Sequence, residues 1–177
     1  MKKSNLILIG MPGAGKSTVG VILAKRLGFN FIDTDLLIQA QQRNRLQEII
    51  DTQGLEKFRQ IEEQVLIDLS ASRTIIATGG SVVYSEAGMA ALQQTGHLIY
   101  LQEELDRLLQ RIADMGQRGL VMAAGQSFEQ LYQERTPRYE KYAELTIPCN
   151  ELTAEEVAAQ IETEVTNRVI NQLSQTD

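Results

Sequence analysis

The chain has 177 residues, a length that suits one domain, 1–177, and can bury a substantial core. It is 43% apolar and 23% charged, carries a net charge of −6 without a basic cluster, and holds a single cysteine, Cys149. That balance argues against nucleic acid as a partner, against a disulfide framework and against a cysteine-based metal site. No stretch approaches a membrane span, so no membrane partner is expected. The apolar run behind Lys2 and Lys3 is too short for a signal peptide, so the expected compartment is the cytoplasm.

Asn5–Ile9 reads as a fully buried strand and Lys16–Leu27 as a helix with Val19, Ile22, Leu23 and Leu27 on its apolar side. Between them, Gly10 to Ser17 fits G-x-x-x-x-G-K-[ST], the phosphate-cradling P-loop. Its glycines let backbone N–H groups of Gly13, Ala14 and Gly15 converge on phosphate oxygens, and the helix start at Lys16, Ser17 and Thr18 adds its positive dipole end. Lys16 then reaches the terminal phosphates and Ser17 offers a hydroxyl to Mg²⁺. ATP and Mg²⁺ are the expected cofactors.

A second strand, Asn30–Asp33, is followed by helices at Thr34–Arg43, Leu46–Asp51 and Leu55–Ala71. Asp33 and Asp35 flank the end of that strand, the edge where ligands bind in open parallel sheets. One carboxylate can hold the hydration shell of Mg²⁺ and the other can accept a proton from an attacking hydroxyl; helix capping is the bland alternative for this segment. Arg59, in the helix Leu55–Ala71, can pair with Glu62 or Glu63 one turn on, or can offer its fork of donors to a substrate carboxylate. The third strand, Thr74–Ala77, runs into Thr78-Gly79-Gly80, where backbone can approach a ligand closely. It lacks a terminal Asp, which directs the metal role to Asp33.

The remaining predicted elements are a helix at Ser85–Gln94, a strand at Leu98–Leu101, helices at Glu103–Ala113 and Phe128–Arg135, a strand at Glu144–Pro148 and a helix at Glu155–Asn171. His97, at the start of the fourth strand, reads as structural. Ser127 and Gln130 fit a capping box, and Pro137 is expected to end or kink the helix it follows. The glycine-interrupted segment 113–126 could close as a lid over a nucleotide, with Arg118 reaching its phosphates. Arg111 reads as a solvated helix charge or an adenine-stacking group, and Arg135 as a helix C-terminal charge or an anion ligand. Strands alternating with helices predict an α/β fold with a parallel sheet and helices on both faces. A GTP-operated switch would need an N-K-x-D segment, which is absent; Asp51 to Gly54 matches D-x-x-G by spacing alone.

These residues together resemble the shikimate kinase family over roughly residues 4 to 165. The resemblance rests on GMPGAGKS at 10–17, DTD at 33–35, EKFRQIEE at 56–63, ATGG at 77–80, QRGL at 117–120 and ERTPRYEKYAELTI at 134–147. It implies a P-loop fold with a five-stranded sheet in the order 2-3-1-4-5. It also implies ATP-dependent phosphorylation of the 3-hydroxyl of shikimate in aromatic amino-acid biosynthesis; a monomer is expected. Asp35 would contact the shikimate hydroxyls, Arg59 and Arg135 would clamp its carboxylate, and Gly80 would add backbone contacts. Ser17 and Asp33 would hold Mg²⁺, Lys16 and Arg118 would face the phosphates, and Arg111 would stack on adenine. Two residues depart from the pattern: Ser81 stands where a third glycine is usual, and Gly119 where the lid usually has proline. The alternative is a related kinase for another small hydroxy acid, such as gluconate.

Overall fold

The computed structural model describes residues 3–115, 121–122 and 125–173. Five strands form one sheet: β1 (Asn5–Ile9), β2 (Asn30–Asp33), β3 (Thr74–Ala77), β4 (Gly96–Gln102) and β5 (Leu145–Pro148). Their order is β2-β3-β1-β4-β5 and every pairing is parallel. The central strand β1 is buried along its whole length, as a near-continuous apolar run requires when helices cover both faces.

Eight helices join these strands: α1 (Lys16–Leu27), α2 (Thr34–Gln42), α3 (Leu46–Gln53), α4 (Leu55–Asp68), α5 (Glu86–Thr95), α6 (Leu105–Met115), α7 (Phe128–Tyr142) and α8 (Ala154–Leu173). Parallel crossovers are right-handed, so moves in opposite directions along the sheet place their helices on opposite faces. The chain steps one way from β1 to β2 and back the other way to β3 and β4. Accordingly α1 packs with α8, and α4 packs with α5. The main core gathers β1, β3 and β4 with Leu23 of α1, Leu92 of α5 and Ile161 of α8. A second apolar cluster of Ile38, Ile49, Phe58, Val65 and Val121 ties α2, α3 and α4 into a unit beside the sheet edge.

All five predicted strands and eight predicted helices are present, with changes at their ends. Helix α2 stops at Gln42 because Arg43 takes a left-handed backbone, φ 54°. Helix α3 runs on to Gln53, and α4 ends at Asp68, before a turn in which Arg73 is also left-handed. Ser85 is not the first residue of α5 but its cap, accepting from the Gly88 N–H at 2.8 Å. Helix α6 begins at Leu105 rather than Glu103, whose side chain turns inward as a buried carboxylate. The capping box at Ser127 is present, with both reciprocal bonds.

Pro137 does not end its helix. It lies inside α7, which continues to Tyr142. The cost of the lost backbone bond is offset by Tyr139, which is fully buried and stacks on Tyr100 with centroids 5.2 Å apart. Arg135 is therefore mid-helix, and a role as the closing charge at a helix C-terminus is excluded. The D-x-x-G match has no switch context either, since Gly54 is the joint between α3 and α4. His97 bonds Glu144 at 2.8 Å at the start of β4, the sheet edge opposite the P-loop. No helix among the described residues is long and apolar enough to cross a membrane.

Candidate active site

The P-loop leaves β1 and turns into α1 on left-handed glycines, Gly13 at φ 84° and Gly15 at φ 86°. Helix α1 has no side-chain cap and no acid in its first turn, so its leading amides face an anion unopposed. They line a cleft of about 650 Å³ with Asp35, Thr78, Gly80, Glu103 and Arg111. Lys16 is buried in its wall, and its ammonium donates to the carbonyls of Gly10 and Met11 at 2.8 and 2.9 Å. Burial pulls its pKa down to about 8, against the opposing pull of Asp35 and then Asp33.

Ser17 Oγ donates to Asp33 Oδ2 at 2.6 Å. The other Asp33 oxygen caps α2, accepting from the Asp35 N–H at 3.0 Å and the Leu36 N–H at 3.3 Å. Asp33, not Thr34 or Asp35, thus serves as the cap, and one carboxylate both fixes the helix and faces the P-loop serine. A hydroxyl and a carboxylate are hard oxygen donors, the set that suits Mg²⁺. No group of three or more His, Cys, Asp or Glu among the described residues could hold a metal ion. An ion at Ser17 and Asp33 would therefore complete its shell with water and phosphate oxygens, as Mg²⁺ usually does.

Thr34 and Thr78 lock the ends of β2 and β3 to their neighbours. Thr34 Oγ1 accepts from the Gly79 N–H at 3.2 Å, and Thr78 Oγ1 donates to the Leu8 carbonyl at 2.9 Å. The backbone of Gly79 then runs between two carboxyls. A Cβ there would fall 2.6 Å from Glu62 Oε1 and 2.7 Å from Asp35 Oδ1, so a larger residue would have to push one of the two carboxyls aside. Burial, reinforced by the charge of Asp33, raises the Asp35 pKa to about 6, while Lys16 opposes the rise. Burial likewise raises Glu62 to about 7, against the hydrogen bond from Ser81.

The two predicted clamp arginines meet. Arg135 is fully buried; its Nη2 donates to the Val121 carbonyl and its Nε to the Tyr84 hydroxyl at 3.2 Å. Among the described residues its Nη1 has no hydrogen-bond partner, and it lies 3.1 Å from where a Gly80 Cβ would stand. Arg59 lies over the Tyr84 ring at 4.4 Å, and Arg135 lies 5.2 Å from the same ring. Arg59 Nε is also buried without an acceptor among the described residues. Buried guanidinium donors left unpaired are costly, so such donors could receive an anion. Arg59 makes no ion pair with Glu62 or Glu63, which accept instead from Ser81 and Ser85.

Arg111 is not a solvated charge. Its Nη1 donates to the Gly13 carbonyl at 3.0 Å and its Nη2 lies 2.8 Å from buried Glu103 Oε2, so it braces the P-loop from α6. Arg118, with much of the predicted lid 113–126, lies outside the described residues. Gly80 accepts a bond from the Tyr139 hydroxyl at 2.6 Å.

Comparison with known proteins agrees with this geometry. The shikimate kinase family model matches residues 12–166. The chain belongs to the shikimate kinase family. It is 36% identical over 163 residues to the shikimate kinase of Vibrio parahaemolyticus, covering 90% of this chain and 95% of that one. The shikimate kinase of Acinetobacter baumannii, solved in complex with shikimate, superposes with a TM-score of 0.87 at 31% identity, covering 94% and 95% of the two chains. A gluconokinase from Sinorhizobium meliloti reaches a TM-score of 0.55 at 13% identity over 99% and 100% of the two chains, a likeness of fold alone. Membership of the shikimate kinase family goes with ATP and Mg²⁺ as cofactors.

Four residues of this site were not singled out by their roles in the sequence. Glu62 sits at a core position of the α4 stripe, four after Phe58 and three before Val65, and a charge there is the one signal that marks it. Glu103, read as a helix start, is the buried partner of Arg111. Tyr84 and Tyr139 carried no local signal, because their partners come from other elements.

Proposed function

We propose that this chain transfers the terminal phosphoryl group of ATP to the 3-hydroxyl of shikimate, giving shikimate 3-phosphate and ADP. The observation that carries this reading is the placement of Arg59 and Arg135 about one tyrosine ring, with buried donors that have no acceptor among the described residues, and Arg135 set at Gly80 beside Pro12 of the P-loop. A small acid bound there by its carboxylate turns a hydroxyl toward the nucleotide cleft.

Each group then has one task. Arg59 and Arg135 fix the acid end with charge-assisted bonds, and Gly80 allows close backbone approach. Asp35 orients the attacking hydroxyl and takes its proton; burial raises its basicity for that role while leaving it ionised at neutral pH. Lys16 and the P-loop amides stabilise charge on the phosphates. Ser17 and Asp33 would hold Mg²⁺, which when bound neutralises and orients the phosphates. Arg111, steadied by Glu103, offers its planar guanidinium to adenine.

Coupled ADP release across an acceptor panel tests the reading. Turnover with shikimate and none with gluconate is expected; turnover with gluconate alone would overturn it. Arg135→Ala is expected to raise the KM for shikimate roughly 10–100-fold, the loss of a charge-assisted contact. Unchanged shikimate kinetics in that variant would remove Arg135 from the acceptor site.

A further inference from the structure

Arg135 and Tyr139 stand four residues apart on α7, so both side chains leave one face of the helix, and both are fully buried. They close on one residue, Gly80. The Tyr139 hydroxyl donates to the Gly80 carbonyl at 2.6 Å, and Arg135 Nη1 lies 3.1 Å from where a Gly80 Cβ would stand. Cδ and Cγ of Pro12, in the P-loop, lie 2.9 and 3.0 Å from the same point. Gly80 thus fills a slot between the nucleotide loop and an acceptor arginine, and a side chain there would push one of them away. A glycine fixes no conformation by itself, so its neighbours must set the slot. Tyr139 is suited to that task. Its ring stacks on Tyr100 of β4, with centroids 5.2 Å apart and planes 22° from parallel. Burial pushes the pKa of its hydroxyl up, so it stays a protonated donor.

We propose that Tyr139 is a positioning residue: by holding the Gly80 carbonyl it keeps Gly80 as the spacer between the P-loop and Arg135, and so sets how far a clamped acid reaches toward the phosphates. It acts through Gly80 and Arg135, and the inference rests on the acceptor reading above. Phosphoryl transfer depends chiefly on alignment, and a small misplacement of the reacting groups is costly. Without the Tyr139 hydroxyl the Gly80 carbonyl loses its donor, and the residue is free to turn against Arg135. The P-loop side yields less, because Lys16 holds the carbonyls of Gly10 and Met11 on either side of the turn's entry. The disturbance therefore falls on the acceptor and spares the nucleotide.

The test is steady-state kinetics on the full chain with shikimate and ATP varied separately. Tyr139→Phe keeps the stacked ring and loses the donor. It is expected to raise the KM for shikimate about fivefold or more, the effect of one side-chain hydrogen bond, with the KM for ATP near wild type. A merely structural loss would lower kcat with the folded fraction and leave both KM values in place. Tyr100→Phe removes the other hydroxyl of the stacked pair, which makes no hydrogen bond to Gly80, and should leave the KM for shikimate unchanged. Replacing Tyr139 with 4-aminophenylalanine restores a donor and should bring the KM back toward wild type. If Tyr139→Phe does not fold, 4-fluorophenylalanine in its place, which fills the volume but cannot donate, carries the test. An unchanged KM for shikimate, an equal rise in both KM values, an equal effect of Tyr100→Phe or no recovery with the amine overturns the proposal. The carbonyl-carbon NMR signal of Gly80 in the ligand-free protein gives a readout independent of turnover. It should shift in Tyr139→Phe, and an unmoved signal overturns the positioning role whatever the acceptor. A wild-type protein inert toward shikimate sinks the acceptor reading alone.

Discussion

Lys16→Ala is expected to lower kcat by roughly 10²–10³-fold or more, the usual cost of losing one preorganised donor at a reacting centre, while the melting temperature stays close to wild type. The two outcomes have one cause. Burial lowers the Lys16 pKa to about 8, so at pH 7 the side chain is charged in a place that disfavours charge. A lysine whose folded pKa lies below its unfolded value costs stability throughout the range below about 8, and that cost fades as pH rises toward the unfolded value. Removing the ammonium relieves this cost and forfeits two hydrogen bonds, to Gly10 and Met11. The terms oppose each other, so stability changes little. Catalysis has no such offset, because among the described residues no other lysine lines the cleft. Coupled ADP assays at saturating substrates, with a thermal melt of the same sample, check both. A second signature follows from Asp35, whose ionisation Lys16 favours. Residual activity should require a higher pH than in wild type. A kcat near wild type would contradict the assignment of Lys16.

Why the strands were legible and parts of the site were not comes down to the range of the interactions. Asn5–Ile9 and Thr74–Ala77 are short apolar runs, and α1 and α4 carry apolar stripes, so element type follows from local pattern. Strand order does not; β2-β3-β1-β4-β5 was implied by family resemblance, since no periodicity encodes which strands neighbour each other. Boundaries moved where tertiary contacts outweighed local preference: Glu103 left its helix to meet Arg111, and α7 ran through Pro137 because Tyr139 is anchored on Tyr100 and Gly80. The same divide runs through the site. Gly13, Lys16 and Ser17 are set by one contiguous motif. Arg59 was open between an ion pair one turn away and an anion site, and the residue it lies against is Tyr84, distant in sequence and silent in pattern. Asp33 was legible as a ligand-edge carboxylate, yet its double duty as cap and serine partner needed the geometry of both oxygens.

Asp35→Asn should separate chemistry from stability, and in opposite directions. Loss of the proton acceptor is expected to lower kcat roughly 10²–10⁴-fold, the range for a positioned general base. The same change should stabilise the fold at pH 7–8 by about 1–3 kcal/mol. Asp35 titrates near 6 in the folded protein against 3.8 for a free side chain, chiefly through burial and then through Asp33. A carboxyl raised in this way contributes stability below its unfolded pKa and loses it as pH rises through its folded pKa. Between pH 4 and 7 the wild type therefore forfeits stability that asparagine, which cannot ionise, retains. Chemical denaturation of both proteins at pH 4 and pH 7.5 should show the asparagine advantage growing with pH. Wild-type kcat/KM should in turn fall as pH drops below about 6, where Asp35 takes up its proton. Equal stability differences at both pH values would place the raised ionisation elsewhere, with Glu62 the next group to examine, since burial holds it up to about 7. An asparagine variant with wild-type kcat would mean that substrate positioning by the two arginines and phosphate stabilisation by Lys16 suffice. The site pays for a usable base by keeping a carboxylate where the folded chain would rather have none.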